Sequence, residues 1–347
     1  MDALHMTDLR EPMALPEVGA MKRAGTKIVM VTAYDHPSAR LASEAGVDLI
    51  LVGDSAGNNV LGYDTTVPVS MDEAVMLTGA VARARPRALV IGDMPFGSFQ
   101  ASDEEAVANA VRLVKAGADA VKLEGAGPML ARVAAIVGAG IPVMGHLGLT
   151  PQSATMLGGM KAQGATAIKA RQLLDDARAL EAAGSFAIVL ESIPARVATR
   201  VTDALEIPTI GIGAGPGCDG QVLVWHDLLG LNEGPTPRFV KRYADLSGEI
   251  RRGLHAFAAD VRSGAYPADE HVYKIPADEL RDFEAGLEDR EAPSAAVGTP
   301  ARDVAVRTLR SIASDRISTA AMPRPMNSRC DIGAPLPVES ANTVSPS

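Results

Sequence analysis

Short apolar runs recur along this chain from Lys27 onward: KIVMVTAY, DLILVGDS, ALVIGDMP, AVKLEG, PVMGHLG, AIVLES, PTIGIGAG and QVLVWHD. Runs this short, rich in Val, Ile and Leu, predict strands buried on both faces. Between most of them lie stretches with helical periodicity, such as SDEEAVANAVRLVKAG, EAVMLTGAVARAR, GPMLARVAAIVGAG and PARVATRVTDAL. In the first of these, Ser102 and Glu105 predict a capping box, and Gly117 a C-terminal stop. Eight strand signals alternating with helices predict an α/β fold, a (β/α)8 TIM barrel. Only a glycine turn separates the last two runs, which leaves a doubly wound open sheet as the alternative.

The pattern divides the chain into three. Residues 1–24 read as a polar leader broken by Pro12 and Pro16, 25–289 as the barrel, and 290–347 as a tail. The tail is dense in Ala, Ser, Pro and Arg and nearly free of aromatics, so disorder is expected there. Its stretch ARDVAVRTLRSIA could form a short amphipathic helix, though a solvated appendage is the simpler expectation.

Charge and cysteine content narrow the function classes. A net charge of -9 over 347 residues gives no basic stripe, so no nucleic-acid footprint is expected. Cys218 and Cys330 form no CxxC pair, which points to a reducing compartment without a disulfide frame or zinc knuckle. The N-terminal MDALHMTDLREPM has no apolar signal core, and no run is long enough to span a membrane. A soluble cytoplasmic protein is the expectation.

Four of the apolar runs stop on a carboxylate: Asp54, Asp93, Glu124 and Glu191. Taken singly, each could be a turn or cap residue. Taken together, four acids at the carboxyl edge of four strands sit where parallel α/β folds bind ligands. An all-oxygen donor set without His or Cys clusters suits Mg2+ rather than zinc, with one acid left as a base. Lys122 lies two residues before Glu124, so both point to one face. They form either a lumenal salt bridge or a functional pair in which Lys122 neutralises a substrate carboxylate. This constellation suggests carbon-acid chemistry on a 2-oxo acid. His146, ending the fifth run, is either a substrate contact or a hydrogen-bonded core histidine. The glycines of GPGCDG formally match a dinucleotide fingerprint, but a strand follows instead of a helix, so a tight turn or close backbone approach at the barrel mouth is the better reading. Trp225 and His226 read as structural.

The motifs GDSAGNNVLGYDTT, GDMPFGSF, AVKLEG, GHLGLTPQS, LESIP and GIGAGPGCDGQVLVWHD, spanning about Lys27 to His271, resemble the ketopantoate hydroxymethyltransferase family. That resemblance implies a barrel of the phosphoenolpyruvate/isocitrate lyase superfamily type. It also implies a homo-oligomer, a decamer of stacked pentamers. The implied reaction takes 5,10-methylenetetrahydrofolate, 3-methyl-2-oxobutanoate and water to tetrahydrofolate and 2-dehydropantoate, towards pantothenate and coenzyme A. Carried over by motif, Asp54, Asp93 and Glu124 correspond to the Mg2+ ligands. Asp54, Ser55, Asp93, Lys122 and His146 correspond to the substrate contacts, and Glu191 to the proton acceptor.

One segment departs from the resemblance. In GGMKAQGATA, Ala162 and Ala165 replace bulkier and charged residues, which bears on the folate co-substrate and not on the metal acids. The rival readings are a related lyase or mutase acting on a 2-oxo acid, and a non-enzymatic scaffold with an interaction tail. The Lys-Lys-Cys-Gly-His loop of the related lyases is missing from the chain.

Overall fold

The structure is a computed structural model, which describes residues 11–291 apart from Glu233 and Pro235. The tail from 292 onward, with ARDVAVRTLRSIA and Cys330, lies outside the described residues. One compact unit runs to His271, and a second begins at Val272. In the first, α1 (Leu15–Ala24) lies within the segment read as leader. It is followed by β1 (Ile28–Thr32), α2 (His36–Glu44), β2 (Leu49–Val52), α3 (Met71–Ala82), β3 (Leu89–Asp93), α4 (Asp103–Ala116), β4 (Ala120–Lys122), α5 (Met129–Gly138) and β5 (Val143–Gly148). Then come α6 (Ala167–Ala182), β6 (Ala187–Glu191), α7 (Ala195–Asp203), β7 (Thr209–Ile212), β8 (Gly220–Leu223), α8 (Trp225–Leu228) and α9 (Leu246–Ser263). The second unit contains α10 (Ala277–Glu291).

All eight strands pair in parallel, and β1 pairs with β8, so the sheet closes into a barrel and the open-sheet alternative falls away. The β7–β8 connection has no helix. Its seven residues, Gly213 to Asp219, can reach about 24 Å when extended, and a four-residue strand rises only about 13 Å, so the loop returns to the other edge unaided. It does so by lying against α7, where a Cβ on Gly215 would meet Ala195 and one on Gly217 would meet Thr199. The glycines of GPGCDG therefore serve backbone approach, as the sequence suggests.

Period-two alternation sorts each strand into a lumenal and an outer set. Ile28, Met30, Leu49, Leu51, Leu89, Ile91, Ala120, Met144, Ala187, Val189, Ile210 and Val222 fill the lumen. The outer set packs under the helices in two further clusters. Val18 of α1, fully buried, joins the lumenal cluster and plugs the amino edge. Lys22 latches that plug, donating to Thr202 O (2.9 Å), Ile207 O (3.0 Å) and Asp219 Oδ2 (3.0 Å). With one end sealed by apolar packing, the open end is the carboxyl edge. At α4, Ser102 Oγ accepts the Glu105 N–H as expected, at 3.1 Å. The carboxylate closing that turn is nevertheless Glu104, held below its ordinary range by its own backbone N–H and the Ser102 hydroxyl.

Candidate active site

The same alternation that fills the lumen carries polar residues up to its mouth. Following Leu89 and Ile91 by two gives Asp93; following Ala120 gives Lys122 and then Glu124. His146 follows Met144, and Glu191 follows Val189. Register then aligns them, with Asp93 opposite Lys122 across β3 and β4 and Gly148 opposite Glu191 across β5 and β6. Asp54 and Ser55 follow β2 on the turn that leaves the barrel. A cavity of about 370 Å³ at this edge is lined by Asp54, Ser55, Asp93, Lys122, Glu124, His146 and Glu191 together. The sequence-predicted residues thus all converge.

Their contacts form one network. Lys122 Nζ donates to both oxygens of Asp93, at 2.6 and 2.8 Å, and lies 3.8 Å from Glu124 Oε1. The Asp54 N–H donates to Asp93 Oδ2 at 3.1 Å. His146 bridges two acids, with Nδ1 3.2 Å from Glu124 Oε1 and Nε2 3.2 Å from Glu191 Oε2; the second contact is within ion-pair reach but not aligned as a hydrogen bond. Burial and Lys122 push the imidazole down, yet the hydrogen bond and charge of Glu124, helped by the close Glu191 carboxylate, outweigh them and leave it at about 9. Burial raises the Asp93 carboxyl and outweighs Lys122, with Asp54 and Glu124 adding in the same direction. Burial pulls Lys122 down, but Asp93, Glu124 and Asp54 together hold it well above the ordinary amine range. The Lys122 and His146 shifts share one cause, an excess of buried carboxylate over positive charge, which adds to burial at Asp93.

Gln152 is a member that the sequence reading missed. It sits on a short 3-10 turn, Pro151–Ser153, and is 5% exposed. Its Nε2 donates to Asp54 Oδ2 (2.9 Å) and Met94 O (3.0 Å), and its N–H to Glu124 Oε2 (3.1 Å). Gln152 Oε1 is buried with no partner. Asp227, after β8, also lines the cavity and accepts from Asn232 Nδ2 at 2.8 Å. Gln152 ends no apolar run; Asp227 closes the run QVLVWHD, but behind Trp225 and His226, which read as structural, so it does not group with the other acids.

The backbone beside Glu191 is strained. Ser192 has φ 51°, a left-handed conformation that is costly for a serine, and its N–H donates to Ile212 O at 2.8 Å. Gly148 has φ +98°, and a Cβ there would strike Glu191 O, which accepts from the Leu149 N–H at 2.9 Å. The departing 158–167 segment reaches this region, since the Gln163 N–H donates to Ser192 O at 2.9 Å. Met160 lines the cavity mouth, whereas Ala162 and Ala165 are exposed and outside its wall.

A sequence profile of the family described as ketopantoate hydroxymethyltransferase matches residues 12–269. The chain belongs to the ketopantoate hydroxymethyltransferase family. Members are one-carbon transferases. It is 56% identical over 266 residues to the 3-methyl-2-oxobutanoate hydroxymethyltransferase of Moorella thermoacetica, covering 76% of this chain and 99% of that one. The Saccharopolyspora erythraea protein of the same name is 55% identical over 255 residues, with 73% and 87% covered. Among solved structures, a phosphoenolpyruvate phosphomutase from Streptomyces platensis superposes with a TM-score of 0.50 at 16% identity, covering 80% of this chain and 98% of that one. That likeness shows a shared barrel fold. No described helix is long and apolar enough to cross a membrane.

Among the described residues, no three of His, Cys, Asp and Glu stand together as a formed metal site, and Lys122 takes both oxygens of Asp93. Donor chemistry and charge nevertheless suit a hard divalent cation in this family member. Asp54, Asp93 and Glu124 offer only oxygens, the carboxylates outnumber the cations, and Gln152 Oε1 is a buried acceptor left over.

Proposed function

We propose that this hydroxymethyltransferase moves the one-carbon unit of 5,10-methylenetetrahydrofolate onto 3-methyl-2-oxobutanoate, giving 2-dehydropantoate, with Glu191 as the base. The observation that carries the proposal is the shared cavity holding the Lys122 ammonium, the Ser55 hydroxyl and four carboxylates from four strand ends. Lys122 and Ser55 bind the carboxylate and ketone oxygens of the 2-oxo acid. Glu191, its side chain 15% exposed, reaches the cavity and takes the C3 proton. The His146 imidazolium, 3.2 Å away, fixes where that carboxylate points. Water adds to the folate-derived methylene carbon and its bonds to nitrogen break, releasing tetrahydrofolate; the enolate carbon attacks the resulting formaldehyde-level carbon, whose oxygen takes up a proton as the new hydroxyl. Mg2+, with Asp54, Asp93 and Glu124 as its ligands, would supply Lewis-acid polarisation of the ketone. Apolar lining from Leu51, Val189, Ile212 and Val222 accommodates the isopropyl group and keeps water from the enolate.

The assembly we propose is a homo-oligomer, a decamer by family resemblance, working in the cytoplasm on small molecules only. The direct test of the reaction is turnover. Purified protein with both substrates and Mg2+ is expected to form 2-dehydropantoate, and to stop when the ion is chelated. Consumption of the 2-oxo acid without a hydroxymethyl product would instead favour a lyase or mutase.

A further inference from the structure

The cavity-lining hydroxyl of Ser55 has a partner on its far side. Its Oγ lies 2.8 Å from Tyr34 Oη, and Tyr34 is 3% exposed. The phenol accepts from Thr32 Oγ1 at 2.9 Å, and Thr32 Oγ1 accepts from the Trp225 N–H at 2.9 Å. Four groups therefore stand in line across the seam where β8 and β1 close the barrel, ending on the turn after β2.

The order of donation follows from proton counting. A backbone N–H can only donate, so Trp225 fills a lone pair of Thr32, and Thr32 gives its own proton to Tyr34. The phenol proton then has Ser55 Oγ as its acceptor. Burial pushes the Tyr34 hydroxyl up to about 12, so that proton is present throughout the neutral range. Ser55 accepts on that side and keeps its own proton for the cavity. We propose that Tyr34 is a positioning residue for the 2-oxo acid: with Thr32 and the Trp225 N–H, it fixes the Ser55 hydroxyl as a donor aimed at the substrate's oxygens. The inference rests on the reading of this cavity as a 2-oxo-acid site. Neither Tyr34 nor Thr32 needs to touch the reacting atoms for it.

The test is a double-mutant cycle on KM. Tyr34→Phe keeps the ring, whose centroid lies 5.6 Å from that of His226, and removes only the hydroxyl. It is expected to raise KM for the 2-oxo acid by about three- to tenfold, the size of one lost hydrogen bond, and to leave KM for the folate donor unchanged. In a Ser55→Ala background, the same substitution is expected to add nothing. Thr32→Val should act in the same direction and Thr32→Ser should retain wild-type KM; this pair carries the test if Tyr34→Phe does not fold. Equal factors with and without Ser55, or a matching loss of folate affinity, would overturn the inference while leaving the reaction intact. A wild-type protein without turnover would overturn the proposed function, and the inference with it.

Discussion

Gly148→Ala tests how tightly the fold sets the position of the base. Gly148 has φ +98°, and an added Cβ would strike Glu191 O and lie 2.8 Å from Ile193 Cγ1. Placing alanine in that region of φ costs about 1–2 kcal/mol, and forcing the overlap apart costs about 1–3 more. The sum is about 2–5 kcal/mol, or roughly 4–20 °C in melting temperature for a unit of this size. Gly140→Ala is the internal comparison, because Gly140 has φ +85° but nothing within 4 Å of an added Cβ. It should show only the backbone part, about 1–2 kcal/mol. Glu191 O also accepts from the Leu149 N–H, so relief of the clash shifts Glu191 itself. A displacement of about 1 Å at a base can cost on the order of a hundredfold in rate. Thermal unfolding and initial-rate kinetics on both variants separate the two effects. If Gly148→Ala melts and turns over like Gly140→Ala, the β5–β6 contact does not place the base and the reasoning fails.

Three further outcomes follow from other contacts. Lys122→Met strips the cation from a pair whose side chains are 4% and 2% exposed, and should cost about 3–5 kcal/mol by chemical denaturation; adding Asp93→Asn should recover much of it. Lys22→Met should lower stability by about 3 kcal/mol through the unlatched α1 plug, while leaving kcat and KM of the folded protein unchanged; altered KM would mean the amino edge is coupled to the mouth. Glu73 is held below its ordinary range by the Ser70 N–H, Tyr63 Oη and Ser70 Oγ, so its contribution is present above the unfolded pKa and lost as pH falls through the folded one. The melting-temperature gap between wild type and Glu73→Gln should therefore be open at pH 7 and close under acid; a gap independent of pH would contradict the capping role.

Much of this is legible in the sequence because barrel geometry is periodic. Strands buried on both faces write themselves as apolar runs, and an acid ending such a run must emerge at the carboxyl edge, which is why Asp54, Asp93, Glu124 and Glu191 stand out. For Lys122 and Glu124, two apart, spacing alone puts both on one face. Gln152 offers no such handle, because its partner Asp54 is 98 positions away and its own segment has no period. Tyr34 and Thr32 look like ordinary strand residues, since a hydroxyl relay leaves no mark on hydrophobic patterning. The α1 plug reads as leader because Pro16 suggests a break; at the first turn of a helix, proline loses no bond.

The central claim is that this barrel mouth enolises a 2-oxo acid with Glu191 as the base. Proton NMR of 3-methyl-2-oxobutanoate in deuterated buffer measures it directly, comparing wild type and Glu191→Gln with Mg2+ and with a chelator. The account predicts loss of the C3 proton signal with wild type and Mg2+, at a rate at least about a hundredfold above that of Glu191→Gln, and a new hydroxymethyl signal once methylenetetrahydrofolate is added. An unchanged exchange rate in Glu191→Gln would contradict it, and absence of exchange in wild type would contradict it more completely.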